Sequence, residues 1–334
     1  MCNAHRPLLY VLHGCGYAAA SGSGRASAER RASSGRAAAV QTPLTSQAGT
    51  HRRGLCYSAR PNSGYHRGMS PQTSQNTGAG PSGTTLITGA SSGLGTEYAR
   101  QLAAGGESLV LVARDQAALE ALAAELREQH AVQVEVLPAD LLDRDELSRV
   151  IKRLGGRELP IGTLINNAGF GLPLEFERND IEAEVRHQRL HNEVPMRLMH
   201  AALQPMLERG SGRIVNIASV AAFIPRSTYS AVKQWLVTFS RWANGRYSPQ
   251  GVTVTAVCPG YTHTNFHERL GLPPGEEGIP GWMWLRAPDV VRDSLRDIER
   301  GKAVSIPSFK YKAIVAAARF APPALAARLG ERGR

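Results

Sequence analysis

The chain has 334 residues, 42% of them hydrophobic and 20% charged, with a net charge of +11, which is enough apolar material for one large buried core. The charge does not point to nucleic acid: residues 1–80 hold nine Arg, no Lys and the single acid Glu29, and no basic stripe interleaved with aromatics follows residue 85. No apolar run is long enough to span a bilayer, and Leu8–Leu12 is too short for a signal-peptide core.

Residues 1–80 are rich in Ser, Gly, Ala and Arg without sustained hydrophobic periodicity, so they are read as a disordered leader that cannot offset its own ordering entropy. An organellar transit peptide would share this composition, but no amphipathic helix accompanies it. Met69, close before the folded part, is the favoured alternative start. Three of the four cysteines, Cys2, Cys15 and Cys56, fall in the leader, and Cys258 stands alone. No disulfide or metal spacing emerges, and a reducing, cytoplasmic setting is expected.

From residue 81 to 334 the pattern predicts one α/β domain. Short β-rich runs at Thr85–Thr88, Ser108–Val112, Val132–Leu137, Thr163–Asn166, Arg213–Ile217 and Val252–Val257 alternate with amphipathic segments. Gly95–Ala104 reads as a helix, and Gln116–His130 presents Leu119, Leu122 and Leu126 at helical spacing. Such alternation predicts a doubly wound parallel sheet, the Rossmann dinucleotide fold.

The first strand runs into Thr88-Gly89-Ala90-Ser91-Ser92-Gly93-Leu94-Gly95. A glycine-rich turn opening a helix lets backbone N–H groups and the helix N-terminus approach a diphosphate. At the end of the second strand stands Ala113-Arg114-Asp115, where an acid often binds the adenosine ribose. A guanidinium there pairs with a 2′-phosphate, so Arg114 favours NADP over NAD; Asp115 equally suits a helix N-cap. Tyr229 and Lys233 are four apart, on one face of a helix. A cation beside a phenol stabilises phenolate, so Lys233 is expected to lower the Tyr229 pKa from its usual value of about 10.

These motifs, with four more spanning Thr88 to Thr264, resemble the short-chain dehydrogenase/reductase family. Asp140-Leu141 is similar to its adenine-contacting pair, and Asn166-Asn167-Ala168-Gly169 to its signature after the fourth strand. Asn192 matches its active-site Asn, Tyr229-Ser-Ala-Val-Lys233 its Tyr-x-x-x-Lys with Ser219 upstream, and Pro259, Gly260, Thr262 and Thr264 its cofactor-covering loop. The resemblance implies hydride transfer between a nicotinamide and a carbonyl carbon, with Tyr229 moving the proton, Ser219 binding the substrate oxygen, Lys233 bonding the ribose, and Asn192 holding a water in the proton path. The implied partner is a small carbonyl or alcohol, in a protein that could form a homo-oligomer. No nucleic acid, membrane or metal is expected, since His187 and His191, four apart, lack a third ligand.

One departure concerns the loop Ile224–Thr228, which leaves fewer residues between Ser219 and Tyr229 than the resemblance implies. Either the loop takes a tighter route, or the Ser–Tyr contact is lost and the chain is a catalytically weak NADP-binding or regulatory protein. Residues 262–287, with Trp282, Met283 and Trp284, read as a lid for a lipophilic substrate or as packing surface. The Ala-rich Tyr311–Leu329 reads as a helical cap.

Overall fold

The computed structural model describes residues 83–157, 159–264 and 279–320. The expected leader, the Met69 start and the part of the helical cap beyond residue 320 lie outside them, as do the central lid positions. Strands β1 (Thr84–Thr88), β2 (Leu109–Ala113), β3 (Val134–Pro138), β4 (Ile161–Asn166), β5 (Gly212–Ile217) and β6 (Val252–Val257) lie within one or two residues of the predicted runs. Two short strands, β7 (Thr262–His263) and β8 (Leu285–Arg286), pair with each other, and β9 (Val304–Ser305) joins the edge of the main sheet. Its order is β3-β2-β1-β4-β5-β6-β9, parallel throughout. The predicted doubly wound sheet is thus present. The sequence reading missed β9 because a two-residue strand has no periodicity to read.

Helices α1 (Gly93–Ala104), α2 (Gln116–His130), α3 (Arg144–Leu154), α4 (Ile181–Gln188), α5 (Val194–Arg209), α6 (Thr228–Tyr247), α7 (Ala287–Glu299) and α8 (Phe309–Phe320) complete the domain. Parallel strands are covered on both faces, which is why β1 and β2 are buried at every position and read as near-continuous apolar runs. Successive residues go to opposite faces: Ile87, Leu109 and Leu111 pack with α1, α2 and α7, while Leu86, Val110 and Val112 pack with α3 and α5. Each such side chain contributes roughly 1.5–3 kcal/mol by leaving water. Short polar side chains start the helices: Asp115 accepts from the Ala118 N–H, Asp143 from those of Asp145 and Glu146, and Ser227 from that of Ser230, satisfying donors that have no partner within the helix.

The switch point of the topology lies between β1 and β4, whose carboxyl ends open side by side, the usual place for a ligand in this architecture. Among the described residues no helix is long and apolar enough to cross a membrane.

Candidate active site

At the end of β1 the chain turns with Gly89 at φ +66° and Gly93 at φ +60°, left-handed values that a Cβ disfavours. A Cβ on Gly95 would lie 2.2 Å from the Gly89 carbonyl oxygen, so that position admits no side chain. Ser92, extended, precedes α1, and Leu94 packs inward on the core, leaving Ser91 on the turn. The strap Asn167-Ala168-Gly169 holds the turn from below. The Thr88 hydroxyl oxygen accepts from the backbone N–H of Asn167 at 3.0 Å and of Ala168 at 3.1 Å, and Asn167 Nδ2 donates to the carbonyls of Thr88 and Gly89. Thr264 approaches Gly93 from above, with its Cβ 3.3 Å from where a Gly93 Cβ would stand.

Arg114 is exposed at the end of β2, while Asp115 beside it caps α2. Asp140 accepts from the Leu142 N–H at 3.0 Å, which shapes the turn after β3. Leu141 sends its side chain into the core and is 5% exposed. After β6, Pro259 accepts from the Val220 N–H and Gly260 from the Thr262 hydroxyl. A Cβ on Gly260 would collide with the Tyr311 ring of α8, whose hydroxyl accepts from the Tyr261 N–H and donates to the Met283 carbonyl. Tyr311 therefore ties the segment after β6 to the turn before β8, an anchorage invisible in the sequence.

Ser219, at the end of β5, and Tyr229, in the first turn of α6, hydrogen-bond through their hydroxyls. The short loop between them takes the tighter of the two routes anticipated: Val220–Phe223 coils into one 3-10 turn, and the Ser219 oxygen also accepts from the Ala221 N–H. Lys233 is 4% exposed, donates to the Ile217 carbonyl at 2.7 Å, and places Nζ 5.5 Å from the centre of the Tyr229 ring. The expected lowering of the Tyr229 pKa is not found in the protein by itself. Burial pushes the phenol up to about 12, against a smaller opposing effect of the Ser219 hydrogen bond. Burial also pushes Lys233 down to about 7. The reason is shared: a dry environment disfavours both phenolate and ammonium.

Asn192 falls in a π-helical turn, Arg189–Glu193, between α4 and α5, an irregularity common at functional sites. Its Oδ1 is buried without a hydrogen-bond partner. The same stretch brings two imidazoles to the phenol: the ring centres of His187 and His191 lie 6.0 and 5.8 Å from that of Tyr229 and 4.5 Å from each other. His191 Nε2 donates to the Phe170 carbonyl at 2.8 Å. The sequence reading weighed these histidines only as metal ligands; their spacing was the available signal, but their neighbour Tyr229 was not. Among the described residues no group of three or more His, Cys, Asp or Glu side chains is placed to hold a metal. His263 stacks on Trp284, with ring centres 4.6 Å apart.

Comparison with known proteins gives the arrangement a family. A very-long-chain 3-oxoacyl-CoA reductase of Anas platyrhynchos is 33% identical over 210 residues, covering 61% of this chain and 67% of that protein. The ketoacyl reductase HetN of Nostoc is 36% identical over 186 residues, 53% of this chain and 63% of the relative. The chain thus spans about two thirds of the length of these curated relatives. Among solved structures, a short-chain dehydrogenase from Sphingobium yanoikuyae in complex with NADPH superposes with a TM-score of 0.65 at 37% identity, covering 71% of this chain and 94% of that one. The pattern described as short chain dehydrogenase matches residues 83–273, more than half of the chain, and the protein belongs to that family of oxidoreductases.

Proposed function

We propose that the protein is an NADP-dependent reductase that converts a lipophilic ketone to an alcohol, with Tyr229 as the general acid. The observation that carries this reading is the hydrogen bond between Ser219 and Tyr229 with Lys233 buried beside them, at the same sheet end as the glycine turn. The residues present fit a nicotinamide dinucleotide. A turn in which Gly95 has no room for a Cβ leaves backbone N–H groups and the α1 N-terminus to face a diphosphate, and Arg114, exposed at the end of β2, suits a 2′-phosphate. NADPH-bound relatives such as the Sphingobium enzyme support the same choice. When bound, the cofactor supplies the hydride.

The protein's own part is proton and position. A phenol kept protonated by burial is set to give its proton to a substrate oxygen, the step reduction needs. Ser219 holds that oxygen through its hydroxyl, Lys233 reaches the nicotinamide ribose, and Asn192, with its unpartnered buried Oδ1, holds a water that replaces the proton on Tyr229. Pro259, Gly260, Thr262 and Thr264 cover the cofactor, and Asp140 and Leu141 border the adenine through the turn that they shape. Trp282 and Trp284 and the acyl substrates in the relatives' names favour a lipophilic ketone. The alternative, a weak NADP-binding protein, was tied to a lost Ser–Tyr contact, and the hydrogen bond between Ser219 and Tyr229 speaks for the reductase instead.

The test is turnover, followed as NADPH absorbance. Tyr229→Phe should lower kcat by ~10²-fold or more while cofactor affinity and thermal midpoint persist, and Ser219→Ala should lower kcat less. A fully active Tyr229→Phe enzyme overturns the mechanism. Arg114→Asp should weaken NADPH binding and spare NADH; equal affinity of the parent for both cofactors overturns the choice of NADP.

A further inference from the structure

The last described helix, α8, has two unlike sides. Tyr311 and Val315, four apart, are buried, and the helix packs on the 3-10 turn Val220–Phe223 that follows Ser219. Phe309, Ala313, Ala316 and Ala317, at the i, i+4, i+7 and i+8 spacing of one helix face, are all exposed. Phe309 is 84% exposed and Trp282 64%, the two highest values for large hydrophobic side chains among the described residues. Lys310, next to Phe309, ties the two places together: its Nζ donates to the carbonyls of Trp282 and Trp284, while the Tyr311 hydroxyl donates to that of Met283. Lys310 and Lys312 flank the buried Tyr311 by roughly 100° on either side, which puts a cation on each shoulder of the exposed face. Between Glu299 and Glu331 the sequence has three Arg, three Lys and no acid. Asp297, whose carboxylate the charge of Lys312 reaches, is buried and bonded to Lys302 and Ser305.

We infer that α8 and the turn carrying Trp282 form a docking surface for an anionic phospholipid bilayer, with Phe309 and Trp282 inserted among the headgroups and the cations of the two shoulders beside lipid phosphates. The headgroup region takes an apolar ring and a flanking cation together, which neither water nor a dry protein core does. A helix that lies on the surface needs no spanning run, in keeping with the lack of one among the described residues. A second copy of the chain fits less well. Two-fold pairing brings a patch against itself, so lysine would face lysine with no carboxylate on α8 to neutralise it, whereas an anionic lipid surface supplies the missing sign. The docking does not depend on the reductase reading.

The experiment floats the full chain with vesicles of phosphatidylcholine alone and of equal parts phosphatidylcholine and phosphatidylserine. The parent should bind the second and hardly the first, and added salt should weaken binding by screening. Phe309→Ser should lower the partition coefficient by ~10-fold or more and Lys312→Glu by ~5-fold or more. Both should keep the parental thermal midpoint, because both side chains are exposed; Phe309→Gln is the second replacement should the first not fold. Brominated phosphatidylcholine in the anionic vesicles should quench tryptophan fluorescence, and Trp282→Phe should lose much of that quenching. The nine Arg of residues 1–80 are the rival source of attraction: binding that Phe309→Ser and Lys312→Glu leave unchanged would assign it to them and overturn the inference. So would failure to bind anionic vesicles, full quenching in Trp282→Phe, or a dimer in sedimentation that Phe309→Ser dissolves while the parent ignores vesicles. None of these measurements needs turnover, so failure here and failure of the reductase reading are told apart.

Discussion

In the turn between β1 and α1, Thr88 accepts from two backbone N–H groups and Asn167 donates to two carbonyls, whereas around Tyr229 the Asn192 Oδ1 and both nitrogens of His187 are buried without partners. The first region pairs these groups within the protein. The second leaves polar groups dry and pushes its acid and its cation toward their neutral forms. The contrast is what the proposed chemistry at Tyr229 requires: buried unsatisfied groups and desolvated charges cost free energy that paired groups do not.

Substitutions sharpen the contrast because they should move stability in opposite directions on the two sides. The largest effect is expected for Gly95→Ala, whose Cβ would meet the Gly89 carbonyl oxygen at 2.2 Å. Backbone cannot yield as a side-chain tip can, so a loss of several kcal/mol, roughly 3 or more, should appear in denaturant unfolding together with loss of NADPH binding. A variant with parental stability and affinity would show that the turn is not constrained as described. Next comes Thr88→Val, which preserves shape but leaves the N–H groups of Asn167 and Ala168 without their acceptor; unfolding free energy should drop by ~1–3 kcal/mol.

The smallest effect lies beside Tyr229 and carries the opposite sign. Lys233→Met removes a buried amine that loses its proton more readily than in the unfolded chain, and should be more stable than the parent at pH 6 by ~1 kcal/mol or more, with activity lost. The sign follows from linkage: with a folded pKa of about 7 and an unfolded value near 10.4, the unfolded parent binds the extra proton between those values. Parental stability therefore rises with pH across that window, and the advantage of Lys233→Met should shrink from pH 7 toward pH 10. A pH-independent difference, or a less stable variant at pH 6, would break the contrast between the two regions.

The sequence by itself determined the sheet, because strands buried on both faces must be written as apolar runs, and it determined the glycine turn, because left-handed backbone and close approach admit little else than glycine at Gly89 and Gly95. It also placed Tyr229 and Lys233 on one helix face, since their spacing is local. Tertiary structure alone decided that Ser219 still reaches Tyr229 over a short loop, that Tyr311 packs on Gly260 from about fifty positions away, and that His187 stands dry beside the phenol. It also reversed the expected direction of the Tyr229 pKa, because a local i,i+4 pair says nothing of desolvation. Hydrogen bonds and periodicity within one element leave a mark on neighbouring letters, whereas burial is set by what the rest of the chain brings to the same place.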